Sequence, residues 1–156
     1  MLKCSIQTGQ LDAFLLKASD YITQALKNEL VQIVKEFDAE IRARGNWCDR
    51  TGNLRSSIGG AVYEDGRIFF QTSFQQVLNG AVGSAKGRSL VHELSGLYSD
   101  AISAVIVAGM EYAEVLEALE SKDVLESARL KAESSVETRL RKAVEKATNE
   151  INGWQI

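Results

Sequence analysis

The sequence predicts an α+β fold, a small antiparallel sheet of three or more strands packed with long N- and C-terminal helices. Three observations predict it. Apolar residues recur in steps of three and four over long stretches at both ends of the chain, the spacing that lines one helix face. Between them lie short β-rich runs joined by Asp65-Gly66, a pair favoured in two-residue hairpin turns. Proline is absent, which removes a helix breaker and suits uninterrupted helices.

The first helix is expected from Leu11 to Ala43, with Leu11, Leu15, Ala18, Ile22, Leu26, Leu30, Ile33, Phe37 and Ile41 on one face. At 1.5 Å per residue it spans roughly 50 Å, longer than a domain of this size is wide. It must therefore rest on a second element or kink near Ser19-Asp20. Gly45-Asn46 ends it, and a loop from Trp47 to Gly52 follows. Two strands are expected at Ser57–Glu64 and Arg67–Thr72. Residues 73–100 carry Gly80, Gly83 and Gly87 among serines and read as a mobile loop region flanked by short helical turns. Ile102–Ala108 is apolar on both faces and reads as the central strand. Glu111–Glu120 reads as a short helix with Tyr112, Val115, Leu116 and Leu119 inward. The last helix is expected to start at Asp123, with Glu126 completing a capping box. Its apolar face is Leu125, Ala128, Ala132, Val136, Leu140, Ala143, Ala147 and Ile151. The 156 residues suit one domain, 1–156.

Composition narrows the function classes. A net charge of -3 argues against a dedicated nucleic-acid binder, which carries a basic excess. No apolar run reaches membrane-spanning length, and Met1–Gln10 lacks the pattern of a secretory signal. Cys4 and Cys48 form no redox or metal spacing and read as free thiols of a reducing cytoplasm. The single histidine, His92, could in principle serve a nucleophilic triad, but no nucleophile elbow accompanies it; it reads as an exposed loop residue. Gly80–Ser89 resembles a phosphate loop until the spacing is checked: Ala85 stands where the second glycine is required. No cofactor, catalytic or metal site is expected.

Two charge clusters stand out. Arg42, Arg44, Arg50 and Arg55 are opposed in their window only by Asp49. Glu111, Glu114, Glu117, Glu120, Asp123 and Glu126 recur every third residue. They read either as solvated faces or as complementary patches on neighbouring subunits; closure on each other within one chain is also open.

The stretch Asp49-Arg50-Thr51-Gly52-Asn53-Leu54-Arg55-Ser56-Ser57-Ile58 resembles the Thr-Gly-x-Leu-Arg-x-Ser-Ile signature of a tail-component family of long-tailed bacteriophages and prophages, the head–tail joining or tail-completion proteins. In that family the signature lies between an N-terminal helix and a β-hairpin, the order expected here. A second element of the resemblance is Gly109, Tyr112, Ala113 and Glu117, followed by a closing helix. The family usually continues after that glutamate with an aromatic residue and Gly-Thr. Ala118-Leu119-Glu120 stands there instead, so continued helix is expected.

The signature also has a purely physical reading as a folding device. Gly52 permits a turn other residues resist, and Thr51 can cap a short helical turn. Leu54 and Ile58 can enter the core together, while Arg55 points outward or meets a carboxylate. The resemblance implies a structural, non-enzymatic virion protein made in the bacterial host cytoplasm. It would form a ring homo-oligomer in contact with other connector or tail proteins, with no sequence-specific nucleic acid and no membrane partner. An acidic balance suits such a conduit, since a Lys/Arg-rich lumen would retain DNA. The rival reading is a small cytoplasmic enzyme or regulator with its site in 73–100.

Overall fold

The computed structural model describes residues 8–98, 101–120 and 122–154, the side chains of Leu119 and Glu120 excepted. Helix α1 runs without a break from Gly9 to Arg44. A one-turn helix α2 (Asn53–Ser57) leads directly into β1 (Ile58–Glu64), which turns back as β2 (Arg67–Gln71). Helix α3 (Ala81–Leu94) and a 3-10 turn (Ser95–Leu97) precede β3 (Ser103–Ala108). Helices α4 (Ala113–Glu120) and α5 (Glu126–Ile151) close the chain. The fold is α+β, with a three-stranded antiparallel sheet in the order β2-β1-β3.

The hairpin turns at Asp65-Gly66, both with positive φ (49° and 73°), as the two-residue turn that matches strand twist requires. Side chains of β1 alternate between two cores. Ile58 and Val62 pack with Leu30, Ile33, Val34, Phe37 and Ile41 of α1. Ala61 and Tyr63 pack with Phe74, Val91 and Val107. The sheet is thus covered by α1 on one face and α3 on the other.

That covering corrects the strand order expected from hydropathy. The central strand is β1, and β3 is an edge among the described residues. With a helix over each face, an edge strand can be as apolar as a central one. The central position is held instead by Ile-Gly-Gly-Ala-Val-Tyr, whose glycines lower its hydropathy for a packing reason. A Cβ at Gly59 would stand 2.5 Å from Thr72 Oγ1, and one at Gly60 2.5 Å from the Val105 carbonyl.

A second correction concerns residues 73–100, read as a loop region. Residues 81–94 are helix. Gly80, Gly83 and Gly87 step by three and four, which places them together where α3 meets α2 and β1. An added Cβ at Gly83 would overlap the backbone of Asn53, and one at Gly87 would lie 2.5 Å from the Ser57 carbonyl oxygen. The glycines remove side chains so that backbones can touch. The residues between β2 and α3 are pinned as well. Val77 N–H donates to Ser56 Oγ (2.8 Å), Ser84 Oγ to the Phe74 carbonyl (2.7 Å) and Arg88 to the Ser73 carbonyl (3.0 Å).

Helix α5 packs antiparallel along α1 and chiefly on α1. Arg139 bridges Glu29 (2.7 Å) and Glu36 (2.5 Å), Lys131 pairs with Glu40, and Tyr21 meets Glu150. Trp154 stands edge-on to Phe14 and Tyr21, with ring centroids 6.2 and 5.2 Å away. The over-long first helix is therefore supported by the last one, with no break at Ser19-Asp20. Leu11 and Leu15, expected inward, are exposed together with Leu16, while Trp154 and the end of α5 meet the Phe14 and Tyr21 side of that end.

Candidate functional site: the signature turn and the groove beside β3

The signature residues form a lock between the end of α1, α2 and β1. Gly52 has φ 76° and its position leaves no room for a Cβ beside the Val77 carbonyl. Thr51 Oγ1 accepts from the Asn53 N–H at 3.4 Å. Leu54 and Ile58 are buried in one core, as the four-residue spacing predicted, and Ser57 is buried with its hydroxyl donating to the Leu54 carbonyl (2.8 Å).

Arg55 meets a carboxylate: its Nε donates to Asp49 Oδ2 at 2.5 Å, and its guanidinium lies over the Trp47 ring. Trp47 Nε1 donates to the other oxygen of Asp49 (3.1 Å). Arg42 and Arg55 are reciprocal. Arg55 donates to the Arg42 carbonyl, and Arg42 donates to the carbonyls of Arg55 (2.9 Å), Ile58 (3.3 Å) and Gln75 (2.7 Å).

The charge clusters consequently come apart. Arg42 and Arg55 are engaged inside the chain and do not form a patch for a neighbour's acids. Arg44 pairs with Glu40 (2.7 Å) and is largely exposed, as is Arg50. On the acidic side, Glu111 pairs with Lys86 (2.7 Å), which holds its carboxyl below the usual glutamate range. Glu114 is exposed. Glu117 Oε1 accepts the backbone N–H groups of Val124 (3.2 Å), Leu125 and Glu126 (both 2.7 Å). It satisfies free donors at the start of α5, and Asp123 shares that role as expected, its Oδ1 accepting the Ser127 N–H at 3.1 Å. The helix starts three residues later than expected, and Glu126 pairs with Arg129 instead (2.6 Å). The side chains of Glu120 and Leu119 lie outside the described residues. The two clusters do not close on each other through any ion pair among the described residues.

Gly109, Tyr112 and Ala113 occupy the turn from β3 into α4. Gly109 lies against Gly87, where a Cβ would stand 2.6 Å from the Gly87 nitrogen. Ala113 is buried; Tyr112 and Val115, expected inward, are instead substantially exposed. They line an open cleft of about 660 Å³ with Cys48, Arg50, Thr51 and Lys122. Burial raises the Tyr112 hydroxyl above its usual range, opposed by Lys86. As the altered family element implied, α4 continues through Ala118 to Glu120. Cys48 is a free, exposed thiol, and Cys4 lies outside the described residues. His92 is exposed, on α3 and not on a loop.

A groove that no motif announced runs between α1, α5 and the outer edge of β3. Its volume is about 590 Å³, and its walls are mainly apolar. Leu30, Ile33, Val34 and Phe37 of α1 form one wall, and Ala128, Ala132 and Val136 of α5 the other. Ala104, Val105 and Ile106 of β3 lie at its floor. The available signal was the α5 apolar stripe, Leu125 to Leu140, which is only half-buried along its length. A neighbouring apolar strip, Leu26, Val136, Leu140 and Val144, continues it toward the helix tips.

Among the described residues, no three His, Cys, Asp or Glu side chains lie together as metal ligands, and no helix is long and apolar enough to cross a membrane. Compared with family models, with curated proteins and with solved structures, the chain matches none.

Proposed function

We propose that the chain is a structural subunit of the head–tail junction or tail terminus of a long-tailed bacteriophage. It forms a ring-shaped connector or tail-completion assembly by contacts between copies and catalyses no reaction. The observation that carries the reading is the signature turn. Thr51, Gly52, Leu54, Arg55, Ser57 and Ile58 stand between a long first helix and a β-hairpin, the position they take in the family that they resemble. The apolar groove beside β3, whose α5 wall is only half-buried, supports the self-association part of the reading. Half of residues 73–100, where an enzyme site was the rival, is the helix 81–94, and no observation favours that reading.

The test is electron microscopy of the concentrated protein, with immunolabelling of particles from a lysogen carrying its gene. Rings in the isolated protein, or label at the head–tail junction, are expected. Unlabelled particles together with a strictly monomeric protein would overturn the proposal.

A further inference from the structure

We infer that the groove beside β3 receives an extended strand, residues Leu2–Gln7 of a second copy, so that each subunit completes the sheet of the next. The inference deepens the self-association part of the function proposed above and rests on that part alone.

Four observations carry it. First, the outer edge of β3 is unpaired among the described residues, and its sequence, Ser-Ala-Val-Ile-Val-Ala, contains no charge or proline. Natural sheets blunt a free edge with such residues or cover it. The opposite edge differs: β2 opens with Arg67, and the adjoining Gly66 N–H is taken by the Tyr98 carbonyl (3.0 Å).

Second, α5 forms a wall of the space beside β3 while packing chiefly on α1. A strand added to β3 would find the half-buried stripe Leu125, Ala128, Ala132 and Val136 above it. Third, Leu2-Lys3-Cys4-Ser5-Ile6-Gln7 alternates apolar and polar residues, the period of a strand with one buried face. Its six residues match the length of β3. Leu2, Cys4 and Ile6 would face the groove and the polar residues the other side.

Fourth, the reach of the chain selects a second copy. Thr8 stands at the far end of α1, about 33 Å along the helix from Leu30, the first α1 residue of the groove wall. Six extended residues span only about 20 Å. A chain cannot fill its own groove this way, but it can fill a neighbour's. The contact is then head-to-tail, the kind that closes into rings.

The chain's own thiol provides the test. In a Cys48→Ser background Cys4 is the single cysteine; adding Ala104→Cys places a partner on the β3 floor of the groove. Oxidation, or a short bismaleimide, at high protein concentration is expected to give a ladder of covalent multimers. The ladder should vanish with Cys4→Ser and fade when a synthetic peptide of residues 1–8 is added in excess. Four results would overturn the inference. One is a protein that is folded by circular dichroism yet remains uncrosslinked. A second is a fast-migrating internally linked monomer. A third is an equal ladder with Arg67→Cys on the other edge. A fourth is a dimer that persists without Cys4, which means that two β3 edges pair with each other. The readout is contact between isolated copies, so it is independent of whether labelled rings are found in phage particles.

Discussion

Asp38 sits half-buried on α1 with one carboxylate oxygen lacking any hydrogen-bond partner. Burial raises its pKa above the ordinary 3.8, opposed by the nearby Arg42. The sign follows from proton linkage. Above 3.8 the unfolded chain loses this proton more readily than the folded one. The residue therefore costs stability as pH rises toward its folded value, and the full cost remains above it. Asp38→Asn is expected to melt at a higher temperature than the parent at pH 7. The advantage should shrink on acidification and disappear well below pH 3.8; thermal melts across that range check it. The glycines of α3 make an opposite case. Gly83→Ala forces a methyl group onto the Asn53 backbone, and overpacking of this kind costs about 1–3 kcal/mol. Gly9, also helical, has open space where a Cβ would go; Gly9→Ala is expected to be neutral or stabilising by up to about 1 kcal/mol. Urea titrations of the two variants distinguish a packed glycine from a merely permissive one.

At the scale of elements, the lock around the signature turn decides how the arginines behave. Arg55 joins Asp49, the Trp47 ring and the end of α1 in one arrangement. Arg55→Ala leaves the half-buried Asp49 carboxylate without its cation, and hydrogen bonds to charged groups are worth about 1.5–3 kcal/mol. A loss of that size is expected in denaturant unfolding, while Arg50→Ala, at an exposed position of the same loop, should stay within about 0.5 kcal/mol. Equal losses would mean that the lock is not what holds α2 in place. The signature's hydrophobic half was legible because Leu54 and Ile58 are spaced for one face. Its polar half was legible only in part: a carboxylate was one expected partner of Arg55, but the partners of the neighbouring Arg42 are backbone carbonyls at 55, 58 and 75, and any residue type supplies a carbonyl. Glu117 is similar: it caps α5 from a separate helix, beside the local cap by Asp123 that the sequence did suggest.

In the molecule as a whole, stability is unevenly distributed. The stretch of α1 from Leu30 to Ile41 lies between sheet and α5 and is largely buried on its inner face, whereas its first turns meet Trp154 and leave Leu15 and Leu16 more than half exposed. Local opening costs least where few buried contacts hold an element. Hydrogen exchange is expected to be fast over Leu11–Ser19 and slow over Val31–Ile41. It should be slow also across Val82–Val91, whose glycines are in contact with α2 and β1. Slow exchange at the tip of α1 in the isolated protein, or fast exchange across Val82–Val91, would contradict this distribution.

Periodicity was enough to establish both long helices, the hairpin with its Asp65-Gly66 turn, a third apolar strand and the α+β class, because each depends on residues close together in sequence. Which strand lies in the middle could not be read that way: helices on both faces make the β3 edge as apolar as a centre, and the true centre needs glycines for space. Nor could the state of residues 73–100 be read, because a glycine that frees the backbone and one that lets two backbones meet are the same letter. The groove is the clearest case. The face of α5 was visible in the sequence, but whether α1, the sheet or nothing would cover it depends on how three distant segments meet, and in the folded chain they leave part of it open beside an unpaired strand.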